Sequence, residues 1–380
     1  MVTILFLLAL AVLSAGLQVW QWRGASRFPL HQRLPATLDE PGVTLLKPLK
    51  GADAETSACL ESWFTQKTSG AFQVLFGVGT LEDPVVPVVR ALLEKHPSVD
   101  AELVLCGEVL GANSKVSKLV QLARRAKHGV LIVSDADVFV PADLTAQLLA
   151  KMQDPLVGLV NCFYRLANPV TTAMRWEAVA INVDFWSQVL QSVALKPMDF
   201  ALGAVMAVRR DALTRIGGFE SLVNHLADDY QLGNRVAGNG YRIELCPVVV
   251  ECREPVQGWK QVWAHQLRWA RTIRACQPAP FFASLLSNAS LWPMLAWAAS
   301  ARTSLNVAGL VLPLLLLRLL AAASMHRRLS PQTFRWSDLW LVPAKDVLNA
   351  AIWLAAFTGN HVVWRGVKYR VKKGGELIRE

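Results

Sequence analysis

The sequence predicts an α/β domain on a mostly parallel sheet, held at a membrane by an amino-terminal anchor and by apolar helices near the carboxyl end. Three observations lead there. Residues 3–20, TILFLLALAVLSAGLQVW, carry no charge over a length able to cross a hydrocarbon core. From residue 43 to 275, short apolar runs of strand length alternate with stretches of helical period, the pattern of a sheet covered on both faces. Beyond residue 280 the chain turns apolar again, over 281–299, 303–325 and 341–363.

The first segment reads as a retained anchor rather than a cleaved signal peptide. It has no basic residue ahead of it, and Arg23, Arg27 and Arg33 follow it. Positive charge after the span predicts that residue 23 onward faces the cytosol. Strands are expected at VTLLKPL (43–49), QVLFGVG (73–79), AELVLCG (101–107), GVLIVSDAD (129–137) and VGLVNCFY (157–164). Helical crossovers are expected over Asp83–Lys95 and Lys115–Lys127. In the 303–325 stretch, Arg318 is expected to snorkel toward the nearer membrane face. The stretch 341–363 carries Lys345, Asp346 and Asn349 near its start, so it either spans or lies in the interface. The tail WRGVKYRVKKGG (364–375) is basic and expected in the cytosol. If tail and domain share a side, the apolar stretches between them cross an even number of times, and one of them is interfacial or re-entrant. The expected organisation is an anchor (1–22), an α/β domain (23–280), a membrane region (281–363) and a basic tail (364–380).

Hydrophobic residues make up 53% of the 380 and charged residues 18%, a balance that suits a mixed soluble and membrane chain. The formal net charge is +10, but the basic residues cluster beside apolar segments, which favours anionic lipid and small anionic substrates over nucleic acid. The cysteines Cys59, Cys106, Cys162, Cys246, Cys252 and Cys276 form no CxxC pair and read as reduced core residues, with no support for a zinc site.

Three short motifs carry candidate chemistry. Ser134-Asp135-Ala136-Asp137 follows the apolar run GVLIV, which places two carboxylates at the carboxyl end of a buried strand, where open α/β sheets bind ligands. Asp135 and Asp137 offer hard oxygens to Mg2+ or Mn2+; the plainer reading is a solvated turn. Asp228-Asp229, in NHLADDYQLG, is either a reactive pair or an ordinary acidic helix start. In HQLRW, helical spacing puts His265, Arg268 and Trp269 along one face, as diphosphate donors beside a flat wall or as an amphipathic membrane-surface helix.

The order of these elements is more specific than any one of them. Lys47-Pro48-Leu49-Lys50-Gly51 comes first, then DxD, then the acidic pair about ninety residues on, then HxxRW about forty further, then the apolar segments. In this order the chain resembles ceramide glucosyltransferases and their bacterial relatives, including hopanoid-associated glycosyltransferases, and more distantly cellulose-synthase-type enzymes. The resemblance runs from the anchor through LLKPLKG (45–51), Asn113-Ser114-Lys115-Val116, Asp135, RRDAL…GG (209–218), the acidic pair with Tyr230, and HQLRW, to VVWRGVKYRV (362–371).

The resemblance implies a GT-A fold, a Rossmann-like domain that takes a UDP-sugar, and transfer with inversion in a single in-line displacement. It implies that Asp135 holds metal and diphosphate with Asp137 as a helper, and that Asp229 rather than Asp228 is the general base. Lys47, Lys115, His265, Arg268 and Trp269 fall at its substrate-binding positions. Two departures stand out. The family's first aspartate, which contacts the nucleoside, aligns near Thr80, leaving Asp83 or Glu82 to take its place; and the first position of (Q/R)xxRW is His265. The acceptor it implies is a membrane lipid, ceramide with UDP-glucose first, a hopanoid with UDP-N-acetylglucosamine second. A processive polysaccharide synthase would need more spanning helices than this length supplies. A non-catalytic sugar-binding membrane protein would have no use for the paired acids.

Overall fold

In the computed structural model, which describes residues 1–35, 40–301, 303–364 and 366–379, the apolar runs of the domain become strands. They are β1 (Val43–Pro48), β2 (Phe72–Val78), β3 (Asp100–Leu105), β4 (Val130–Ser134), β5 (Val138–Phe139), β6 (Val157–Leu166), β7 (Val205–Arg209) and β8 (Arg242–Cys252). β1, β4 and β6 are buried at every position, as strands covered on both faces must be. Alternate residues serve opposite cores: Leu46 of β1 joins one apolar cluster, Val43 and Leu45 the other.

The sheet runs β3-β2-β1-β4-β7-β6-β8-β5. The β3-β2-β1-β4 half is parallel. Beyond it the pairs β4–β7, β6–β7 and β5–β8 are antiparallel and only β6–β8 is parallel, so the expected mostly parallel sheet is corrected to a mixed one. The strands that make it mixed are those without a clear run in the sequence. β7 is five residues long, and β8 carries Pro247 at a break in its register with β6, between the pairs Cys162–Cys246 and Tyr164–Val250. The helical crossovers form over Val85–Lys95 and Ser114–Arg125. Asn113 sets the start of the second by accepting from the N–H groups of Lys115 at 3.0 Å and Val116 at 3.1 Å.

Among the described residues, three helices are long and apolar enough to cross a bilayer: Val2–Arg27, Ala308–Leu329 and a segment over Trp336–Ala356. The first two run side by side in the same direction. Ile4 packs with Val307 and Val311 at one end, and at the other Trp22 donates to Ser324 Oγ at 2.9 Å and Arg328 to the Ala25 carbonyl at 2.9 Å. The chain must therefore cross back between them. It does so through the broken helical pieces Pro278–Ala283, Ser284–Ser287 and Leu291–Ser300, whose Ala296 reaches the Ile4 cluster. The third helix is fastened to the α/β domain at both ends, by Asp338 pairing with Arg175 at 3.1 Å and by Arg274 donating to the Gly359 carbonyl at 3.1 Å. Both of its ends therefore lie against that domain.

The tail is itself a small antiparallel sheet of β9 (His361–Trp364), β10 (Val367–Val371) and β11 (Leu377–Arg379), which the basic composition did not foretell. Tyr369 packs with Leu226, and the Leu377 N–H donates to the Asn224 carbonyl at 2.7 Å, so tail and α/β domain lie on one side.

Arg318 does not snorkel. It is buried between two carboxylates, with Nη2 2.9 Å from Asp184 Oδ2 and Nε 2.9 Å from Asp346 Oδ2, and it donates to Gln18 Oε1 at 2.7 Å. Lys345 pairs with the same two acids. Two cations thus balance two anions, joining the anchor, the membrane helices and the π-helical turn Ala180–Phe185 of the domain. Removing one member leaves an uncompensated buried charge. Arg318→Leu is expected to cost about 3–5 kcal/mol, read as a lowered midpoint of thermal unfolding in detergent, whereas an unchanged midpoint would make the cluster dispensable.

Candidate active site

The acid loop sits where β4 emerges from the sheet. Val130–Val133 are buried, and the chain turns at Ser134. Lys47, wholly buried on the neighbouring β1, donates to Ser134 Oγ at 3.2 Å and to the Asp135 carbonyl oxygen. Burial pulls its pKa down to about 8. Its ammonium thus secures the loop from beneath. Asp137 is pushed up to about 6, first by burial and then by Asp135 beside it.

The second acidic motif meets the first through Lys115. Asp228 and Asp229 open the helix Asp228–Gly238, where the positive end of the dipole favours them. Lys115 Nζ lies 2.8 Å from Asp135 Oδ1 and 3.1 Å from Asp228 Oδ2. Burial opposes its charge, but Asp135 and Asp228 outweigh burial and hold the ammonium well above its ordinary range. Asn113 Nδ2 donates to the His225 carbonyl at 2.7 Å and approaches Asp228 Oδ1 at 3.5 Å, so the cap of one helix steadies the start of the other.

Asp229 is deeper. Its Oδ1 accepts from the Tyr230 N–H at 2.7 Å, and its pKa is pushed up to about 6 by burial, then by Asp228. Gly203 leaves room for the other oxygen: a Cβ there would fall 2.7 Å from Asp229 Oδ2.

The motif HQLRW lies on the helix Trp259–Cys276. His265 and Trp269 share a face, with ring centroids 4.8 Å apart, and Trp269 also meets Phe185 at 6.2 Å. His265 Nδ1 is 2.9 Å from Oε1 of Glu177, which also accepts from Gln266 Nε2 at 2.7 Å. Arg268 acts on Glu254, which is pushed up to about 8 by burial and then by Glu177 and Asp137. Asp83 Oδ1 accepts from the N–H groups of Gly51 at 2.8 Å and Val85 at 3.0 Å, joining the loop after β1 to a helix start, while Thr80 is exposed and bonded to Glu82.

The structure therefore brings together Lys47, Lys115, Asp135, Asp137, Asp228 and Asp229, with Arg268 linked through Glu254. Sequence reasoning missed Glu177, Glu254 and Gly203. For Glu177 the signal was the one acid in the largely apolar run TAMRWEAVAINV. As for a metal, two neighbouring carboxylates, Asp137 hindered in its ionisation by Asp135, and Asp135 itself 41% exposed and already facing a cation, are a fitting oxygen set for Mg2+ or Mn2+.

A mixed α/β sheet whose edge gathers carboxylates from two distant motifs around a lysine, beside an Arg- and Trp-bearing helix, defines a glycosyltransferase of GT-A type. The chain belongs to glycosyl transferase family 21, which it matches over residues 2–377. It is similar to ceramide glucosyltransferase 3 of Caenorhabditis elegans, 22% identical over 373 residues that cover 93% of this chain and 78% of that protein. It is also similar to an N-acetylglucosaminyltransferase of Bradyrhizobium diazoefficiens, 25% identical over 249 residues, 61% of this chain and 49% of that protein. Its fold resembles that of the mannosyltransferase PcManGT from Pyrobaculum calidifontis, solved with GDP-Man and Mn2+. The TM-score is 0.52 at 22% identity, over 90% of this chain and 99% of that one.

Proposed function

We propose that the protein transfers a sugar from a nucleotide donor, UDP-glucose first, to the hydroxyl of a membrane lipid, ceramide first, with inversion at the anomeric carbon. The observation that carries this reading is the convergence of Asp135, Asp137, Asp228 and Asp229 around Lys115 in a domain bonded directly to bilayer-length helices. A lipid hydroxyl sits at headgroup level and cannot diffuse to a distant soluble site.

In this reading Asp135 and Asp137 hold Mg2+ or Mn2+, which supplies charge neutralisation to the diphosphate. Asp229 accepts the acceptor's hydroxyl proton. The acceptor oxygen forms the new bond to the anomeric carbon as the bond to the diphosphate breaks, and the electron pair leaves with the nucleotide. Lys115 and Arg268 place fixed positive charge toward the leaving group, where it contributes most as negative charge develops. Asp228, held by Lys115 and Asn113, orients the helix that carries Asp229, and Lys47 fixes the acid loop. Asp83 stands near the nucleoside end, and His265 and Trp269 wall the acceptor side. The Bradyrhizobium relative favours a second reading, with UDP-N-acetylglucosamine as donor and a hopanoid as acceptor.

Arg268 and Arg271 separate catalytic from structural roles on one helix. Arg271 donates to the His361 carbonyl and ties the helix to the tail. Arg268→Ala is expected to raise the barrier by about 2–4 kcal/mol, and Arg271→Ala to cost less. Equal, mild losses in kcat/KM would make the helix merely interfacial. Arg23, Arg27 and Arg33 after the anchor, with the basic tail, support a cytosolic position for the catalytic domain and tail. A cysteine at the exposed position Lys372 should therefore resist an impermeant thiol reagent in intact cells, and labelling there would reverse the topology.

The test of function is lipid extraction from expressing cells followed by mass spectrometry. A new glycolipid with a hexose increment on ceramide supports the first reading, and an N-acetylhexosamine increment on a hopanoid supports the second. No new glycolipid in a host that contains both acceptors would reject both.

A further inference from the structure

Beside the acid loop lies a second group of ligating side chains. Glu177 is fully buried in the helix Thr172–Val179, which packs against the helix Trp259–Cys276. Its Oε1 is engaged by His265 and Gln266, but its Oε2 is buried without a hydrogen-bond partner among the described residues. A buried carboxylate oxygen left without a donor is costly unless something else satisfies it. Glu254, on the loop after β8, brings a second carboxylate to the same place, and one ligand atom from each of Glu177, Glu254 and His265 lies within 4.8 Å of the others.

Arg268 acts on Glu254, while Asp137 adds a further negative charge nearby. Gln266 donates to Glu177 from the turn that carries His265, as an outer-sphere residue does when it orients a metal-binding carboxylate. One imidazole and two carboxylates are a donor set for a first-row transition ion rather than for Mg2+, which takes oxygen alone.

We infer that Glu177, Glu254 and His265 form a second divalent-metal site, for Zn2+ or Mn2+, separate from the Asp135–Asp137 pair. The ion neutralises the two glutamates. It also fastens three elements together: the helix that continues to Asp184, the loop after β8, and the helix that carries Arg268 and Trp269. Its effect on transfer is indirect, through the position of Arg268.

The site can be tested without any substrate, so the result does not depend on which sugar or lipid the enzyme uses. The full-length protein in nanodiscs is stripped with EDTA, titrated with Zn2+, desalted and analysed for metal; a parallel sample takes Co2+ for its visible d–d absorption. About one retained equivalent is expected in the wild type and in Asp135→Asn/Asp137→Asn. Retention should fall at least tenfold in Glu177→Gln, Glu254→Gln and His265→Asn, and the Co2+ absorption should vanish with it. Glu254 and His265 are only partly buried, so their variants keep the test valid should Glu177→Gln fail to fold. No retained ion in the wild type overturns the site, as does an ion lost in the Asp135→Asn/Asp137→Asn variant but kept in Glu177→Gln. Equal retention in every variant would mean adventitious binding and would overturn it too.

Discussion

Asp229→Asn should lower turnover by roughly 10²-fold or more while leaving nucleotide-sugar binding largely intact. Asparagine keeps the size of the side chain and can still accept from the Tyr230 N–H through its carbonyl oxygen, but it cannot take the acceptor's proton. Asp228→Asn should be milder, because the contacts of Asp228 are to Lys115 and Asn113 and its part is orientation. The pH dependence follows in sign. A base must be ionised to act, and burial with Asp228 alongside raises Asp229 to about 6, so kcat/KM should rise with pH through about 6 and level off above it. Paired calorimetry and product assays decide the matter. Loss of donor binding in proportion to turnover would make Asp229 a structural or metal-site acid, and a dead Asp228→Asn beside an active Asp229→Asn would exchange the two roles.

Asp135→Ala should be as damaging through a different route. Asp135 is both the exposed half of the DxD pair and the anion on which Lys115 rests. In the proposed mechanism its removal would take away a metal ligand and free Lys115 to turn wholly to Asp228, so charge stabilisation at the diphosphate would be lost twice. A fall of about 10²–10³ in kcat is expected, with donor affinity weakened as well. The wild type should lose activity in excess EDTA and recover it with Mg2+ or Mn2+. Full activity in EDTA, or in Asp135→Ala, would remove the metal from the reaction.

What the sequence disclosed and what it hid follow from the range of the interactions involved. The DxD loop was legible because a fully apolar strand must end somewhere, and Asp135 and Asp137 mark the end of β4. The anchor was legible because hydrocarbon demands an unbroken apolar run. Hidden were features that depend on partners far along the chain. β8 did not read as a strand because Pro247 breaks its pattern at the register shift opposite Cys162 and Tyr164. Arg318 looked like a snorkelling residue because its neighbours are leucines. Its actual partners, Asp184 and Asp346, lie 134 and 28 residues away in sequence. Glu177 was missed because its partners, Gln266 and His265, lie 89 and 88 residues on. That both ends of the last apolar helix meet the domain, at Asp338 with Arg175 and at Gly359 with Arg274, became visible only in the fold.

The most direct measurement is the linkage of the product made by the purified protein in nanodiscs containing ceramide and supplied with UDP-glucose. A single displacement with Asp229 as base predicts a β-linked glucosylceramide, identified by NMR, formed by the wild type and almost absent with Asp229→Asn. An α-linked glycolipid, or release of free glucose with no lipid product, would contradict it.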